Sequence, residues 1–223
     1  MKYYRHVRAE ILPLISGLPF HRVLEIGCAS GSTLRWIKTI RPGVNTVGLD
    51  KFAAALQHIK QNADEVFIQD LNDPLPDIGS FDLILALDVL EHLVDPAAVL
   101  EDLRRRLNPG GSVIVSLPNM AHYSVSLPLL LRRKFEYRDE GITDRTHLRW
   151  FVEETALKLL RDAGFQVTAG LLGGFHGRSR LMNKLSFGVA RHWLAEQYIM
   201  RGELADDRRV SSVRWNVAEP VLS

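Results

Sequence analysis

The sequence of 223 residues contains a single cysteine, Cys28, and no long run of apolar residues. One thiol excludes an internal disulfide and a metal site built from several cysteines, which fits a reducing compartment. No apolar stretch reaches the roughly 18 residues that span a bilayer, and the N-terminus lacks the apolar core of a signal peptide. These absences predict a cytoplasmic protein without stable membrane insertion.

An excess of charge is also lacking, because 28 Lys and Arg face 26 Asp and Glu, for a formal net charge of +2. This balance argues against a nucleic-acid partner. The 46% of hydrophobic residues can supply one sizeable core. We predict one domain over 1–223, made of a ligand-binding core (22–118), a lid insertion (119–150), the C-terminal part of the sheet (151–201) and a tail (202–223).

Several common motifs are missing as well. The sequence has no GxxxxGK[ST] phosphate loop, no GxSxG elbow of a serine hydrolase and no GxGxxG of a dinucleotide fold. In their place stands the run VLEIGCASG at 23–31, in which Ala29 lies between the two glycines. This spacing disfavours pyrophosphate binding.

The run VLEIGCASG nevertheless has the pattern of a strand followed by a ligand loop. Its apolar residues suit a strand that is buried on both faces of a parallel sheet. Gly27 and Gly31 allow a positive φ and remove the Cβ, so that backbone can approach a ligand. Ser30 or Ser32 is expected to cap a helix that begins near Thr33 and offers free N–H groups to an anion. The alternative is an ordinary strand, turn and helix without a ligand.

Strand and helix patterns alternate along the rest of the chain. Strands are predicted at 23–26, 45–49, 65–69, 81–87, 112–117, 165–171 and 196–200, with 108–111 as a stop before the fifth. Helices are predicted at 2–16, 34–40, 52–61, 96–107, 120–135 and 151–162. This rhythm predicts an α/β fold with a Rossmann-like, doubly wound and mostly parallel sheet. The segment 213–217 has no pattern that assigns it a role.

Acids recur where the predicted strands end. Glu25 lies in the first strand, and Asp50, Asp70 and Asp88 follow the second, third and fourth. Because the carboxyl ends of parallel strands meet at one edge, a single extended ligand could reach several of these acids. Asp50 could accept from both hydroxyls of a ribose, and Asp70 from the amine of an adenine. The alternative is that these acids only start loops and cap helices.

Taken together, these segments resemble the class I S-adenosylmethionine-dependent methyltransferases over about 22–164. The resemblance is carried, in order, by LEIGCASG (24–31), GLD (48–50), QDL (69–71), FDLI (81–84), LEHL (90–93) and LNPGG (107–111). LEHL and the later DRTHLR (144–149) are similar to the branch that includes ubiquinone-biosynthesis O-methyltransferases. The family usually has a third glycine where Ala29 stands.

The resemblance implies S-adenosylmethionine as cofactor, S-adenosylhomocysteine as product, and a seven-stranded sheet whose last strand is antiparallel. We predict no metal. It implies that Gly27 and Gly31 cradle the methionine part, and that the anion at the helix start is its carboxylate. Asp50 would hold the ribose, and Asp70 with the Leu71 amide would contact the adenine. The full set of expected cofactor-binding residues is Glu25, Gly27, Cys28, Ala29, Gly31, Asp50, Lys51, Asp70, Leu71, Leu87, Asp88 and His92.

Methyl transfer to a hydroxyl requires a base, and the histidine pKa of about 6.5 suits that task. His92 is the first candidate and His147 the second, although either could be structural. His122 and His176 are weaker candidates, and we expect both at the surface. The lid (119–150) is expected to contact the acceptor through His122, Tyr123, Tyr137, Arg145, His147 and Trp150.

The run at 129–134 and the activity of the protein each have more than one interpretation. The run LLLRRK at 129–134 could lie on a membrane surface, but a lid helix with a solvated basic end is the preferred interpretation. The leading hypothesis is a methyltransferase that acts on oxygen, or as second choice nitrogen, of a small molecule such as a sugar, quinone precursor or secondary metabolite. The alternatives are a non-catalytic S-adenosylmethionine-binding partner subunit or sensor and a nicotinamide-dependent oxidoreductase. The oligomeric state is not predicted.

Overall fold

The computed structural model of the chain describes residues 7–52, 56–205 and 213–218, without the side chains of 56–58 and 178. Its strands are β1 (Arg22–Ile26), β2 (Asn45–Asp50), β3 (Glu65–Ile68), β4 (Phe81–Leu87), β5 (Leu107–Pro118), β6 (Phe165–Gly173), β7 (Gln197–Leu204) and β8 (Trp215–Val217). They form one sheet in the order β3-β2-β1-β4-β5-β7-β6-β8. The pairs among the first five strands in this order are parallel. The predicted Rossmann-like, mostly parallel sheet is confirmed.

Eight α-helices accompany these strands in the described ranges. They are α1 (Leu12–Ile15), α2 (Ser32–Ile40), α3 (Leu56–Asn62), α4 (Pro96–Arg105), α5 (Tyr123–Arg132), α6 (Glu153–Asp162), α7 (Gly177–Leu185) and α8 (Arg191–Leu194). Short 3-10 helices cover Ala9–Ile11 and Leu90–His92. Among the helices of the described residues, none has both the length and the apolar content that crossing a membrane requires.

The N-terminal helix is much shorter than predicted over its described part. Residues 1–6 of the predicted 2–16 helix lie outside the described ranges, and residues 53–55 of the predicted 52–61 helix do too. Pro13 is the second residue of α1, where its missing N–H leaves no gap in the helix. The α-helix therefore begins at Leu12, after a 3-10 turn.

The central strands send alternate side chains into two cores on opposite sides of the sheet. In β1, Leu24 and Ile26 belong to one cluster and Val23 to the other. In β4, Ile84 and Ala86 belong to the first cluster, and Leu83, Leu85 and Leu87 belong to the second. Both faces of the sheet are therefore covered, as the nearly continuous apolar pattern of β1 and β4 predicts.

Residues 108–111 form a bulge inside β5, and the prediction of a stop before the strand is wrong. Leu107 already pairs with Phe81, and the ladder resumes with Ser112 opposite Leu83. Gly110 has a φ of 79°, which lets the chain turn out of the ladder. Asn108 Nδ2 donates to Asp82 Oδ1 at 2.7 Å and fastens the bulge to β4.

The far end of the sheet contains the predicted antiparallel strand and one strand more than expected. β7 pairs antiparallel with β5 and β6, and it runs to Leu204. The segment without an assigned role forms β8, which lies parallel to β6 with Trp215 opposite Gly170. A Cβ at residue 170 would lie 2.5 Å from the Trp215 ring, so glycine is required there.

Candidate active site

The loop of residues 27–31 joins β1 to α2 between the ends of β2 and β4. Ile26 pairs with Leu49 on one side and with Ala86 on the other. The N–H of Gly27 donates to Leu49 O at 2.7 Å, and the N–H of Ala29 donates to Asp50 Oδ2 at 2.8 Å. The 27–31 loop is thus held where the strand order reverses, which is where ligands bind in open α/β sheets.

Left-handed backbone at Gly27, Ala29 and Gly31 gives the loop its shape, with φ angles of 65°, 49° and 72°. A Cβ at residue 27 would lie 2.7 Å from Cγ2 of Val89. A Cβ at residue 31 would lie 3.1 Å from Cβ of Asn62. At both positions the missing Cβ permits close packing against the protein itself. Ala29 adopts the same region at a cost of about 1 kcal/mol.

The start of α2 carries no side-chain cap, so the prediction that Ser30 or Ser32 caps it is wrong. Its N-cap is Gly31, which has no side chain to accept a hydrogen bond. The hydroxyls of Ser30 and Ser32 bond to each other at 2.7 Å. The first N–H groups of α2 are therefore left uncapped by side chains of the described residues, as an anion site requires.

Glu25 is a buried acid in β1 behind the 27–31 loop. It is 5% exposed, and Oε2 has no hydrogen-bond partner among the described residues. Burial raises the pKa of its carboxyl to about 8, against the opposing influence of Arg8 and the Thr33 hydroxyl. The Asp50 carboxylate adds to the rise. Glu25 is therefore protonated at neutral pH in the ligand-free protein.

Replacing Glu25 by glutamine should remove a pH-dependent loss of stability. Below its ordinary pKa of 4.5, folded and unfolded chains both hold the proton. Between 4.5 and about 8 only the unfolded chain releases it, so the free energy of unfolding falls as pH rises, by up to about 1.4 kcal/mol per pH unit. Urea unfolding at about pH 5 and pH 8 should show the variant gaining on the order of 3 kcal/mol over wild type. An equal difference at both pH values would contradict the buried, protonated state.

The predicted ribose and adenine acids lie on neighbouring strands. Asp50 ends β2, is 6% exposed, and accepts from the N–H of Phe52 at 2.9 Å. Asp70 follows β3, and its Oδ1 accepts from the backbone and side-chain nitrogens of Asn72, both at 2.9 Å. These bonds hold the pKa of Asp70 below its usual range. Lys51 is exposed, with Nζ 5.3 Å from the centre of the Phe52 ring.

The other predicted cofactor residues are largely covered by protein. The side chains of Cys28, Leu71 and Leu87 are buried, so their backbone atoms are what they can offer a ligand. A groove of about 600 Å³ begins at Leu71 and continues along residues that include Val94 and Ala98. It lies at the adenine end of the predicted site.

Arg8 is a site residue that the sequence did not mark. Its guanidinium donates to Asp88 Oδ2 at 2.5 Å, to Ser116 Oγ at 3.3 Å and to Gln197 Oε1 at 2.9 Å. Asp88 also accepts from the Ser116 hydroxyl at 2.6 Å, so its carboxylate is engaged by protein groups. These three partners are 80 to 189 positions away in the chain, so no local pattern predicts them, and Arg8 also forms an ion pair with Glu10.

The two candidate bases lie together beside the 27–31 loop. The rings of His92 and His147 meet edge to face with centroids 4.7 Å apart. Nδ1 of His92 lies 3.2 Å from Thr146 O and 3.1 Å from Thr146 Oγ1. Because a carbonyl can only accept, we assign the proton of the neutral ring to Nδ1, and in this tautomer Nε2 is an acceptor. Val89, which touches the loop at Gly27, belongs to the same turn as His92.

His147 is the more enclosed of the two histidines. It is 7% exposed, and its Nδ1 lies 3.1 Å from Ile142 O. Burial, followed by the neighbouring His92, lowers the pKa of His147, so its imidazole is neutral at pH 7. Its Nε2 faces Glu91 Oε1 at 4.0 Å.

Glu91 completes a group of three possible metal ligands. It is 1% exposed, its Oε2 has no hydrogen-bond partner among the described residues, and burial raises the pKa of its carboxyl. One ligand atom each from Glu91, His92 and His147 lies within 4.8 Å of the other two. The absence of a metal remains our prediction, because a buried carboxyl whose pKa is raised and a neutral imidazole can adjoin each other without an ion.

The lid residues predicted to meet the acceptor divide into a buried and an exposed group. Tyr123 packs against Trp193, with ring centroids 5.8 Å apart. Tyr137 and Trp150 are about half exposed and lie 6.4 Å apart, centre to centre. Arg145 forms an exposed ion pair with Asp139 at 2.7 Å.

His122 is buried, and its predicted surface placement is wrong. It is 3% exposed and precedes α5, where its Nδ1 lies 2.7 Å from the Ser124 hydroxyl. Desolvation lowers the pKa of His122 to about 4. The burial of His122 results from tertiary packing, because its ring contacts Tyr123 and Tyr123 contacts Trp193 of α8. His176 is at the surface, as expected.

A cavity of about 280 Å³ opens between α5 and the loop that follows it. Its walls include Val125, Phe135, Arg138, Thr143 and Glu196. Neighbours of the predicted acceptor residues line this space, whereas His122, Tyr123, Tyr137, Arg145, His147 and Trp150 do not. The role of the lid in holding the acceptor stays a prediction, and the packing of α5 decides which side chains face the cavity.

The fold and the site together define an α/β domain for an adenosine-type cofactor with an amino-acid end. Asp50 lies where it can accept from a ribose diol, and the uncapped N–H groups of α2 can bind a carboxylate. Once its carboxyl releases the proton, the unpaired Oε2 of Glu25 offers a buried acceptor for a cationic group. These features fit S-adenosylmethionine, whose ammonium and sulfonium groups are positive.

Comparison with known proteins agrees with this class. A family described as a methyltransferase domain matches residues 2–169. A probable S-adenosylmethionine-dependent methyltransferase of Mycolicibacterium smegmatis is 34% identical over 158 residues, which are 70% of this chain and 55% of that protein. A ubiquinone biosynthesis O-methyltransferase of Azorhizobium caulinodans is 30% identical over 177 residues, 75% of this chain and 66% of that protein. The structure of a SAM dependent methyltransferase from Archaeoglobus fulgidus matches with a TM-score of 0.65 and 18% identity, over 87% of this chain and 91% of that one.

The chain belongs to the S-adenosylmethionine-dependent methyltransferases. The resemblance stated from its motifs is confirmed, and so is the cofactor. The chain spans 48% and 55% of the length of the first two curated relatives that it matches. These relatives are therefore about twice as long as the aligned region.

Proposed function

We propose that this chain transfers a methyl group to an oxygen of a small molecule such as a sugar, quinone precursor or secondary metabolite, with nitrogen as the second choice. The observation that carries the proposal is the state of His92. Its Nδ1 is directed at Thr146 O, and its Nε2 has no hydrogen-bond partner in the described part of the chain. A half-buried imidazole with one free, unprotonated nitrogen is suited to take a proton from a hydroxyl.

In this proposal His92 is the base and His147 is its neutral neighbour. The edge-to-face contact at 4.7 Å limits the rotation of the His92 ring, and Thr146 holds its other side. Thr146 Oγ1 in turn donates to Asp144 Oδ1 at 2.6 Å. The chain Asp144, Thr146, His92 therefore orients the base before the acceptor arrives.

The proposed cofactor contacts follow the positions described above. Asp50 would hold the ribose, Asp70 and the Leu71 amide the adenine, and the start of α2 the methionine carboxylate. When bound, S-adenosylmethionine supplies a methyl group on a positively charged sulfur. We place the acceptor between His92 and the lid cavity beside α5, whose wall residue Ile142 adjoins His147. The proposed cellular setting is the cytoplasm, in keeping with the free thiol of Cys28.

The alternative of a non-catalytic binding subunit would leave the histidine pair without a task. An incubation of the chain with methyl-labelled S-adenosylmethionine and small-molecule extract, with and without EDTA, tests whether the chain transfers the methyl group and whether the transfer needs a metal. We expect label in a product in which a hydroxyl of the acceptor has become a methyl ether, at a rate that EDTA leaves unchanged. Cofactor binding by calorimetry without any label transfer would favour the non-catalytic alternative. Loss of activity in EDTA that a divalent cation restores would show that Glu91, His92 and His147 bind a metal.

A further inference from the structure

Two segments of the chain present apolar side chains to solvent. The first is the end of α5, where Leu130 and Leu131 are 78% and 73% exposed. The second is α7 with the turn after it, where Leu185, Phe187 and Val189 are 70%, 96% and 88% exposed. We call these two segments, residues 129–134 and 180–191, the apolar-basic surface.

The two segments belong to elements that pack on each other. Trp193 of α8 donates from Nε1 to Ser126 Oγ of α5 at 2.8 Å, and its ring lies against Tyr123. Asn119, just before α5, donates from Nδ2 to His192 O and Ala195 O at 2.7 and 2.8 Å. α8 is therefore fixed against α5 and in contact with α7, so that α5 and α7, which carry the two segments, both pack on α8.

The backbone at Phe187 is arranged in a way that exposes its ring. Phe187 has a φ of 51°, a left-handed conformation in which glycine is the usual residue. Its N–H donates to Lys184 O, and that of Gly188 donates to Asn183 O. An aromatic residue in this conformation costs about 1 kcal/mol, and with 96% exposure the ring gains no burial in return. Such an arrangement indicates a contact outside the chain.

The parts of the chain that contain the apolar-basic surface carry cationic residues and no acidic ones. Residues 119–135 and 173–195 contain seven of the 28 Lys and Arg of the chain and none of its 26 Asp and Glu. Within the described residues, no carboxylate forms an ion pair with Arg132, Arg133, Arg180 or Lys184. The rest of the chain is therefore net negative, and the apolar-basic surface stands out by its charge as well as by its exposed side chains.

We propose that the apolar-basic surface docks on an anionic lipid bilayer. Exposed leucines and a phenylalanine beside unpaired cations are the combination that binds the headgroup region, with the apolar groups inserted and the cations near lipid phosphates. No helix among the described residues can cross a membrane, so the attachment is peripheral. The inference does not depend on the catalytic assignment.

Co-sedimentation of the full chain with vesicles tests the proposal. We expect binding to vesicles of equal parts phosphatidylcholine and phosphatidylglycerol, no binding to pure phosphatidylcholine, and weakening by high salt. The double variant Leu130→Glu and Phe187→Glu should bind at least about tenfold more weakly, because two inserted side chains are lost and two like charges are added. Ile40→Glu, at an exposed apolar position at the end of α2, is the matched control and should bind as wild type does.

Circular dichroism melting should show that all variants fold. Failure of the wild type to bind anionic vesicles would overturn the proposal, and so would binding that survives the double substitution. Sedimentation velocity adds a third outcome. If the wild type is a dimer that the double variant converts to a monomer, and neither binds vesicles, then the surface joins two copies of the chain and the proposal is wrong.

Discussion

Replacing Asp50 by alanine is expected to weaken binding of S-adenosylhomocysteine at least about 100-fold. The ribose diol would lose both acceptors, and charge-assisted hydrogen bonds are worth about 1.5–3 kcal/mol each. The 27–31 loop would also lose the bond from the Ala29 N–H to Asp50 Oδ2. Isothermal titration calorimetry of the purified variant measures the change.

Asp64 provides a matched control for this experiment. Its Oδ2 accepts from the N–H and the hydroxyl of Thr46, at 2.9 and 2.8 Å, near the start of β2 and away from the 27–31 loop. Asp64→Ala therefore removes a similar number of hydrogen bonds and should leave cofactor affinity within a few-fold of wild type. A change of less than about tenfold in Asp50→Ala would contradict the ribose assignment, whatever its effect on stability.

Replacing His92 by alanine is expected to lower kcat by about 100- to 10,000-fold, which is the range that general-base catalysis supplies. Affinity for S-adenosylhomocysteine should change little, because the ring turns towards Thr146 and His147. Single-turnover transfer of labelled methyl, with calorimetry alongside, separates the two effects. His176→Ala, at an exposed histidine, serves as the control and should keep wild-type turnover.

Variants of His147 and Thr146 show which histidine is the base and how much the Thr146 contact contributes. Thr146→Val removes one of the two contacts to Nδ1 of His92 and should reduce kcat by less than loss of the ring does. If His92→Ala retains full turnover while His147→Ala loses it, the base is His147. If both retain it, the histidine pair has no part in proton removal.

Much of the fold could be predicted from the sequence because its signals are local. β1, β2 and β4 are short apolar runs, and an acid or a glycine marks the end of each. The sequence predicts a stop at 108–111 where the structure has a bulge, because Pro109 and two glycines usually end a regular element. The pairing of Leu107 with Phe81 across the sheet keeps them inside the strand.

The site was predictable only where its residues follow a motif. Asp50 and the 27–31 loop lie at strand ends, and a strand end can be read from the pattern. The contact of His92 with His147 joins residues 55 positions apart through the folding of the lid, and the burial of His122 depends on α8. Arg8 bonds to Asp88, which follows β4, to Ser116 in β5 and to Gln197 in β7. Such long-range charge pairs leave no trace in the local sequence.

β8 has a consequence for how the sheet behaves towards other chains. Every sheet that is not closed has edge strands whose free N–H and C=O groups can pair with another molecule. Here the nine residues of β6 would form such an edge, with Gly170 offering no side chain to obstruct an incoming strand. The three residues of β8 pair with residues 170–172, and the Trp215 ring fills the space above Gly170. A segment that looks like a polar tail in the sequence thus occupies the hydrogen-bonding groups of β6 where that strand has no side chain, and it shortens the edge that another strand could join.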